Sequence, residues 1–214
     1  MKAELNLALV GMPGCGKSLT AKATANLFEV PLLRLDIGKL MGKYVGETEQ
    51  NMAAMFREAE TENAILLLDE ADSFLQDRRS AQRTYEVTEV NEMLQGMERF
   101  RGIFICTTNL MDRIDQAALR RFTFKIQFHP LTRAQRVALF VAEACAGDPV
   151  RLEPAQEKRL AALDQLCIGD FAAVRRQALI LDIKMDPDEL LEQLEAEHRI
   201  KPEVRDGRNI GFLQ

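Results

Sequence analysis

The chain has 214 residues, 47% of them apolar and 29% charged, enough for one sizeable domain or two small ones around a buried core. A net charge of −5 argues against a dedicated duplex-DNA binder, which needs a basic surplus to neutralise phosphates, and leaves only a local basic patch open. No apolar run of about 18 residues is present to cross a membrane, the opening Met-Lys-Ala-Glu-Leu-Asn does not resemble a signal peptide, and four scattered cysteines with two histidines suit no zinc site, so a reduced, cytoplasmic location is expected.

In chain order, Leu5 to Val10 reads as a first strand, a short continuous apolar run of the kind buried on both faces of a sheet. It runs into Gly11-Met12-Pro13-Gly14-Cys15-Gly16-Lys17-Ser18, a full match to G-x-x-x-x-G-K-[ST], with Leu19 opening into a helical pattern. Strand, loop and helix in register are the context that this phosphate-binding motif requires. Its glycines let backbone N–H groups curl around phosphates, and the helix N-terminus adds partial positive charge. Lys17 would reach the β- and γ-phosphates of ATP, and the Ser18 hydroxyl would ligate Mg²⁺. Cys15 is most simply a small residue that fits the loop; its oxidation would block ATP.

Pro31 to Leu35 reads as a second strand. Met52, Met55, Phe56 and Ala59 fall at i, i+3, i+4, i+7 and mark a helix. Ala64 to Leu68 is a third strand, ending in Asp69-Glu70. Next to a complete phosphate loop these carboxylates suit a Mg²⁺ shell (Asp69) and a base that polarises the attacking water (Glu70); taken alone they equally suit solvated acids capping a helix. Val87, Val90, Leu94 and Met97 form another helical stripe, Gly102 to Thr107 a fourth strand, and Thr123 to Phe128 a fifth. Asn109, just past the fourth strand, lies where α/β sheets bind ligands and could orient water against the γ-phosphate; it could also be an ordinary turn residue.

His129-Pro130 breaks this alternation. Beyond it come only helical stripes: Val137, Phe140, Val141 and Ala144; Leu160, Leu163 and Leu166; Phe171, Val174, Ala178 and Leu181; Leu190, Leu191 and Leu194. Alternating strands and helices followed by about four helices give an α/β fold in two domains, a parallel-sheet core over 1–129 and a small helical domain over 130–214.

Taken together, several motifs in order resemble the AAA branch of the AAA+ ATPases, from Leu5 to about Leu181. They are the phosphate loop, Tyr44-Val45-Gly46-Glu47-Thr48-Glu49, Leu67-Leu68-Asp69-Glu70-Ala71-Asp72-Ser73, Thr107-Thr108-Asn109, Leu119-Arg120-Arg121-Phe122 and Gly169-Asp170-Phe171. Asp77 to Arg83, Val90 to Leu94 and the ending Ile210-Gly211-Phe212-Leu213 are similar to ATPase domains of poorly characterised bacterial AAA proteins. The resemblance implies a P-loop NTPase sheet of order 5-1-4-3-2, a helical lid over 130–214, and assembly into a ring, usually a hexamer. It places Asn109 at the sensor-1 position. It makes Arg120 and Arg121 arginine fingers that serve a neighbouring subunit, where the alternative is surface ion pairs of little value. It makes Tyr44 and Val45 a pore loop gripping polypeptide, where the alternative is Tyr44 packed on its own domain. Asp170 stands where other branches carry a sensor-2 arginine, and Arg175 and Arg176 have no assigned role.

The function expected is that of a Mg²⁺-dependent, ATP-hydrolysing motor domain acting on an unknown protein substrate, with no membrane contact. The alternatives are an ATP-gated scaffold with little turnover and, disfavoured by the acidic balance, a DNA-acting motor. The segment that helps enclose adenine in the family has no counterpart before the first strand, which leads us to expect a piece of a longer protein or a looser adenine grip.

Overall fold

A computed structural model describes residues 4–35, 40, 47–71, 84–110, 114, 116–145, 147–202 and 204, with residues 84–89 described by backbone alone. The five apolar runs form five strands: β1 (Leu5–Gly11), β2 (Leu32–Leu35), β3 (Ile65–Leu68), β4 (Ile103–Thr108) and β5 (Phe124–Phe128). Every pairing is parallel, and the order is β2-β3-β4-β1-β5, as the resemblance implies. The helices between them are α1 (Lys17–Leu27), α2 (Glu47–Thr61), α3 (Thr84–Arg99) and α4 (Gln116–Arg121).

Period-2 alternation divides the strand side chains between two faces. Ala8, Val10, Leu66, Leu68, Phe104 and Cys106 join the α2, α3 and α4 residues Met52, Phe56, Met93, Leu94, Met97 and Ala118 in one core. Leu9, Ile65, Leu67 and Ile105 pack with Ala21 and Ala25 of α1 in another. The expectation of burial on both faces holds for the interior strand β3, whose four residues are all buried. It fails at the sheet's ends. In β5, Phe124 and Ile126 are 55% and 44% exposed, because this strand has β1 on one side and no described strand on the other.

Contacts divide the chain into Met1–Gly11 with Lys17–Phe128, and Met12–Gly16 with His129–Gln214. The second unit contains α5 (Arg133–Ala144), a 3₁₀ turn at Pro149–Arg151, α6 (Pro154–Ala161), α7 (Ile168–Leu181) and α8 (Pro187–Arg199). Phe140, Leu160, Phe171, Val174, Leu191 and Leu194 form its core. Two stripes differ from expectation. Helix α6 stops at Ala161, so Leu163 and Leu166 reach the core from successive turns, closed by Leu163 N–H to Leu160 O and Leu166 N–H to Leu163 O. Leu181 is 64% exposed, since α7 ends there in a left-handed Asp182.

Candidate active site

Parallel strands deliver their carboxyl ends to one edge of the sheet, and that edge collects the polar residues that follow β1, β3 and β4. At the end of β1 the chain must turn sharply past β5. Gly11 has φ +149°, and a Cβ on it would lie 2.4 Å from the Phe128 carbonyl oxygen, so only glycine fits.

Lys17 starts α1 and is 7% exposed, rare for a lysine unless its charge is held. Its ammonium donates to the Gly11 carbonyl at 2.7 Å and to Asn109 Oδ1 at 2.8 Å. The loop lysine and the residue beyond β4, 92 positions apart, thus share one site. Next to Lys17, the Ser18 hydroxyl donates to the Asp69 carboxylate, 3.0 Å from Oδ1. The Asp69 side chain is only 14% exposed. Ser18 and Asp69 together form a hard oxygen donor set of the kind that holds Mg²⁺.

Three features escaped the sequence reading. Thr107, buried in β4, donates its hydroxyl to Asp69 Oδ1 and accepts the Glu70 N–H at 3.1 Å. Arg34 of β2 reaches Asp69 Oδ2 at 3.1 Å. Glu70 has φ +58° with its side chain exposed, and a non-glycine residue in this region carries strain of the kind stored at functional sites. A threonine and an arginine inside apolar strand runs were the available signals for the first two; nothing local in the sequence announces the third.

The other expected site residues fall in different places. Arg121 ends α4, where Nη1 donates to the Ala117 carbonyl at 2.9 Å. Its Nε lies 2.7 Å from Glu98 Oε1, close enough for an ion pair though not aligned as a hydrogen bond. Arg120 is exposed. Neither contact involves Lys17, Ser18, Asp69 or Glu70. Tyr44 and Val45 lie outside the described residues. Pro13, Gly14, Cys15 and Gly16 belong to the segment grouped with the helical unit, and Leu19 is 57% exposed on α1. In that unit Asp170 accepts from the Cys167 N–H at 2.6 Å and pairs with Lys201 at 2.6 Å, so its role is to cap α7. Arg175 pairs with Glu143 at 3.7 Å.

The chain is 29% identical to an AAA family ATPase of Sinorhizobium fredii over 182 residues, covering 84% of this chain and 54% of the relative. It is 33% identical to a cell division cycle protein 48 homolog of Archaeoglobus fulgidus (86% and 26% covered) and 28% identical to Bos taurus spastin (97% and 34% covered). The chain thus spans about half the length of these relatives or less. A solved chain of an Escherichia coli HORMA:CdnC:Trip13 complex shares the fold, with a TM-score of 0.72 at 19% identity over 90% of this chain and 74% of that one. Residues 7–130, which contain the phosphate loop, Asp69, Glu70, Thr107 and Asn109, match the ATPase family associated with various cellular activities (AAA), and the chain belongs to that family.

Proposed function

We propose that this chain is the ATP-binding and ATP-hydrolysing domain of a ring-forming machine, hexameric in the family's manner, that remodels or translocates a protein.

 The observation that carries this reading is the convergence of Lys17 with Asn109, and of Ser18 with Asp69 and Thr107, at one edge of the sheet. These residues fit ATP with Mg²⁺: a glycine-rich turn ahead of a helix N-terminus for the phosphates, a held ammonium for their charge, and a hydroxyl–carboxylate pair for a hard cation. Mg²⁺, when bound by Ser18 and Asp69, supplies positive charge to the phosphate oxygens.

The chain's own groups divide the remaining work. Lys17 exchanges part of its hold on Gly11 and Asn109 for phosphate oxygens. Thr107 orients Asp69 through its hydroxyl and fixes the Glu70 backbone by accepting its N–H. The exposed Glu70 carboxylate then takes the proton of the attacking water, and Asn109 orients that water. Arg120 and Arg121 act in the neighbouring subunit's site, and Tyr44 with Val45 grips the polypeptide. The protein works in a reducing cytoplasm, a reading supported by the four free cysteines.

Glu70→Gln tests the proposal. The variant should bind ATP as the parent does and release phosphate about 10²–10⁴-fold more slowly. Unchanged phosphate release would remove Glu70 from the chemistry.

One observation favours an ATP-gated scaffold as the second reading: Arg121 is held within its own chain by Glu98 and the Ala117 carbonyl. A scaffold should assemble with ATP yet show negligible turnover at every protein concentration, whereas turnover by a motor rises as it assembles.

A further inference from the structure

Two cysteines far apart in sequence meet in the helical unit. Cys15 belongs to the phosphate-loop segment Met12–Gly16, and Cys167 is the N-cap of α7. The two backbones touch beside them. The Gly169 N–H donates to the Gly14 carbonyl at 2.8 Å. A Cβ built on Gly169 would lie 2.7 Å from Gly14 Cα, so any larger residue would force the segments apart. A Cβ built on Gly14 would lie 3.8 Å from Cys167 Cβ. This approach sets the neighbouring Cys15 side chain against that of Cys167. All four cysteines are free, and Cys106 and Cys145 are buried, in the sheet core and the helical core. Among the described residues no group of three His, Cys, Asp or Glu side chains could hold a metal ion, so the pair is not part of such a site.

We propose that Cys15 and Cys167 are a redox modification site, forming a reversible intrachain disulfide under hydroperoxide that closes the phosphate loop to nucleotide. The blocking half rests on the nucleotide reading of the loop given above.

The two thiols are unequal. Cys15 is half-buried, whereas Cys167 is 1% exposed. Burial, and then the Cys15 side chain, push the Cys167 thiol up to about 12, with Lys201 pulling the other way. Cys167 therefore stays protonated and waits, and Cys15 meets the oxidant. The Cys15 sulfur attacks one peroxide oxygen. The O–O bond breaks, a sulfenic acid forms, and the departing hydroxide leaves as water with the thiol proton. The Cys167 sulfur then attacks the Cys15 sulfur. The S–O bond breaks, the S–S bond forms, and the second hydroxide takes the Cys167 proton. Two thiols have lost two electrons and two protons, and one hydrogen peroxide has become two waters. A dithiol reverses the bond by exchange. The crosslink ties the loop to the start of α7, so its amides can no longer rearrange around phosphates.

The test treats the full chain with hydrogen peroxide, digests it with trypsin without reduction, and measures fluorescent ATP-analogue binding to the crosslinked fraction. Peptide 3–17 should be joined to peptide 160–175. The crosslinked fraction should bind at least about tenfold more weakly than the reduced chain, and dithiothreitol should restore binding. Cys167→Ser puts a hydroxyl oxygen, a good N-cap acceptor, in place of the sulfur, so it should fold, bind the analogue as the parent does, and yield no joined peptide. Absence of the joined peptide in the parent chain overturns the proposal. So does a crosslinked fraction that binds within about twofold of the reduced chain. A reduced chain that fails to bind the analogue overturns the nucleotide reading and the blocking half with it, while the joined peptide, read without nucleotide, still decides the disulfide.

Discussion

Thr107 connects more of the site than its type suggests. Its hydroxyl donates to Asp69 and accepts from the Glu70 N–H, so one methyl-for-hydroxyl exchange removes both restraints. Thr107→Val should lower stability by about 1–3 kcal/mol in urea denaturation, because polar partners lose a hydrogen bond without regaining water. It should also slow turnover while leaving ATP-analogue binding largely intact, since Lys17 keeps its own contacts. Arg34 is a different case. Its side chain is 67% exposed, so its pair with Asp69 is solvent-screened, and Arg34→Ala should change stability by less than about 0.5 kcal/mol. Asp69, Glu70 and Asn109 were legible as residues because each sits just after a strand-like apolar run. Thr107 was hidden within its run, and its partners become visible only when β3 and β4 lie side by side.

At the scale of elements, the helical unit is rich in local stop and start signals. Asp186 caps α8 by accepting from the Glu189 N–H at 2.9 Å, and Glu189 returns the bond to the Asp186 N–H at 2.9 Å. Asp186→Ala should cost about 1 kcal/mol by chemical denaturation. Asp182, which ends α7, sits at φ 52°, ψ 41°, a left-handed conformation that glycine adopts freely. Asp182→Gly should therefore stabilise by about 1 kcal/mol, the opposite sign from the loss at Asp186 in the same assay. The early end of α6 was less legible. Leu160, Leu163 and Leu166 keep a helical spacing, but Leu163 and Leu166 are brought to the core by consecutive turns. Spacing of three suits a tight turn as well as a helix.

At the scale of the whole molecule, Arg120 and Arg121 decide between a self-contained enzyme and a shared site. Arg121 is tied to Glu98 and to the Ala117 carbonyl, and Arg120 is exposed. A mixing assay separates the cases. A Lys17→Ala chain cannot hold phosphate but keeps its arginines, and an Arg120→Ala, Arg121→Ala chain has the reverse defect. Each alone should be nearly inactive, with the arginine-deficient chain down by about 10³–10⁵-fold. Mixed, they should recover phosphate release, because a neighbour's arginines complete an intact loop. Failure to recover would assign both arginines to structure within their own chain.

The sequence alone determined the strand–loop–helix at residues 5–27, the carboxylates after β3 and the order of strands and helices. These depend on local patterns, namely apolar runs, glycine spacing and helical periodicity, which a linear reading can detect. The parallel sheet order followed from the family resemblance, and β2-β3-β4-β1-β5 agrees with it. Only the tertiary structure decided which polar groups meet: Lys17 with Asn109, Thr107 with Asp69, Cys15 with Cys167. Each pair joins side chains from segments distant in sequence, brought together by strand register or by a close glycine–glycine approach. No local pattern encodes that distance, because it is set by how whole elements pack.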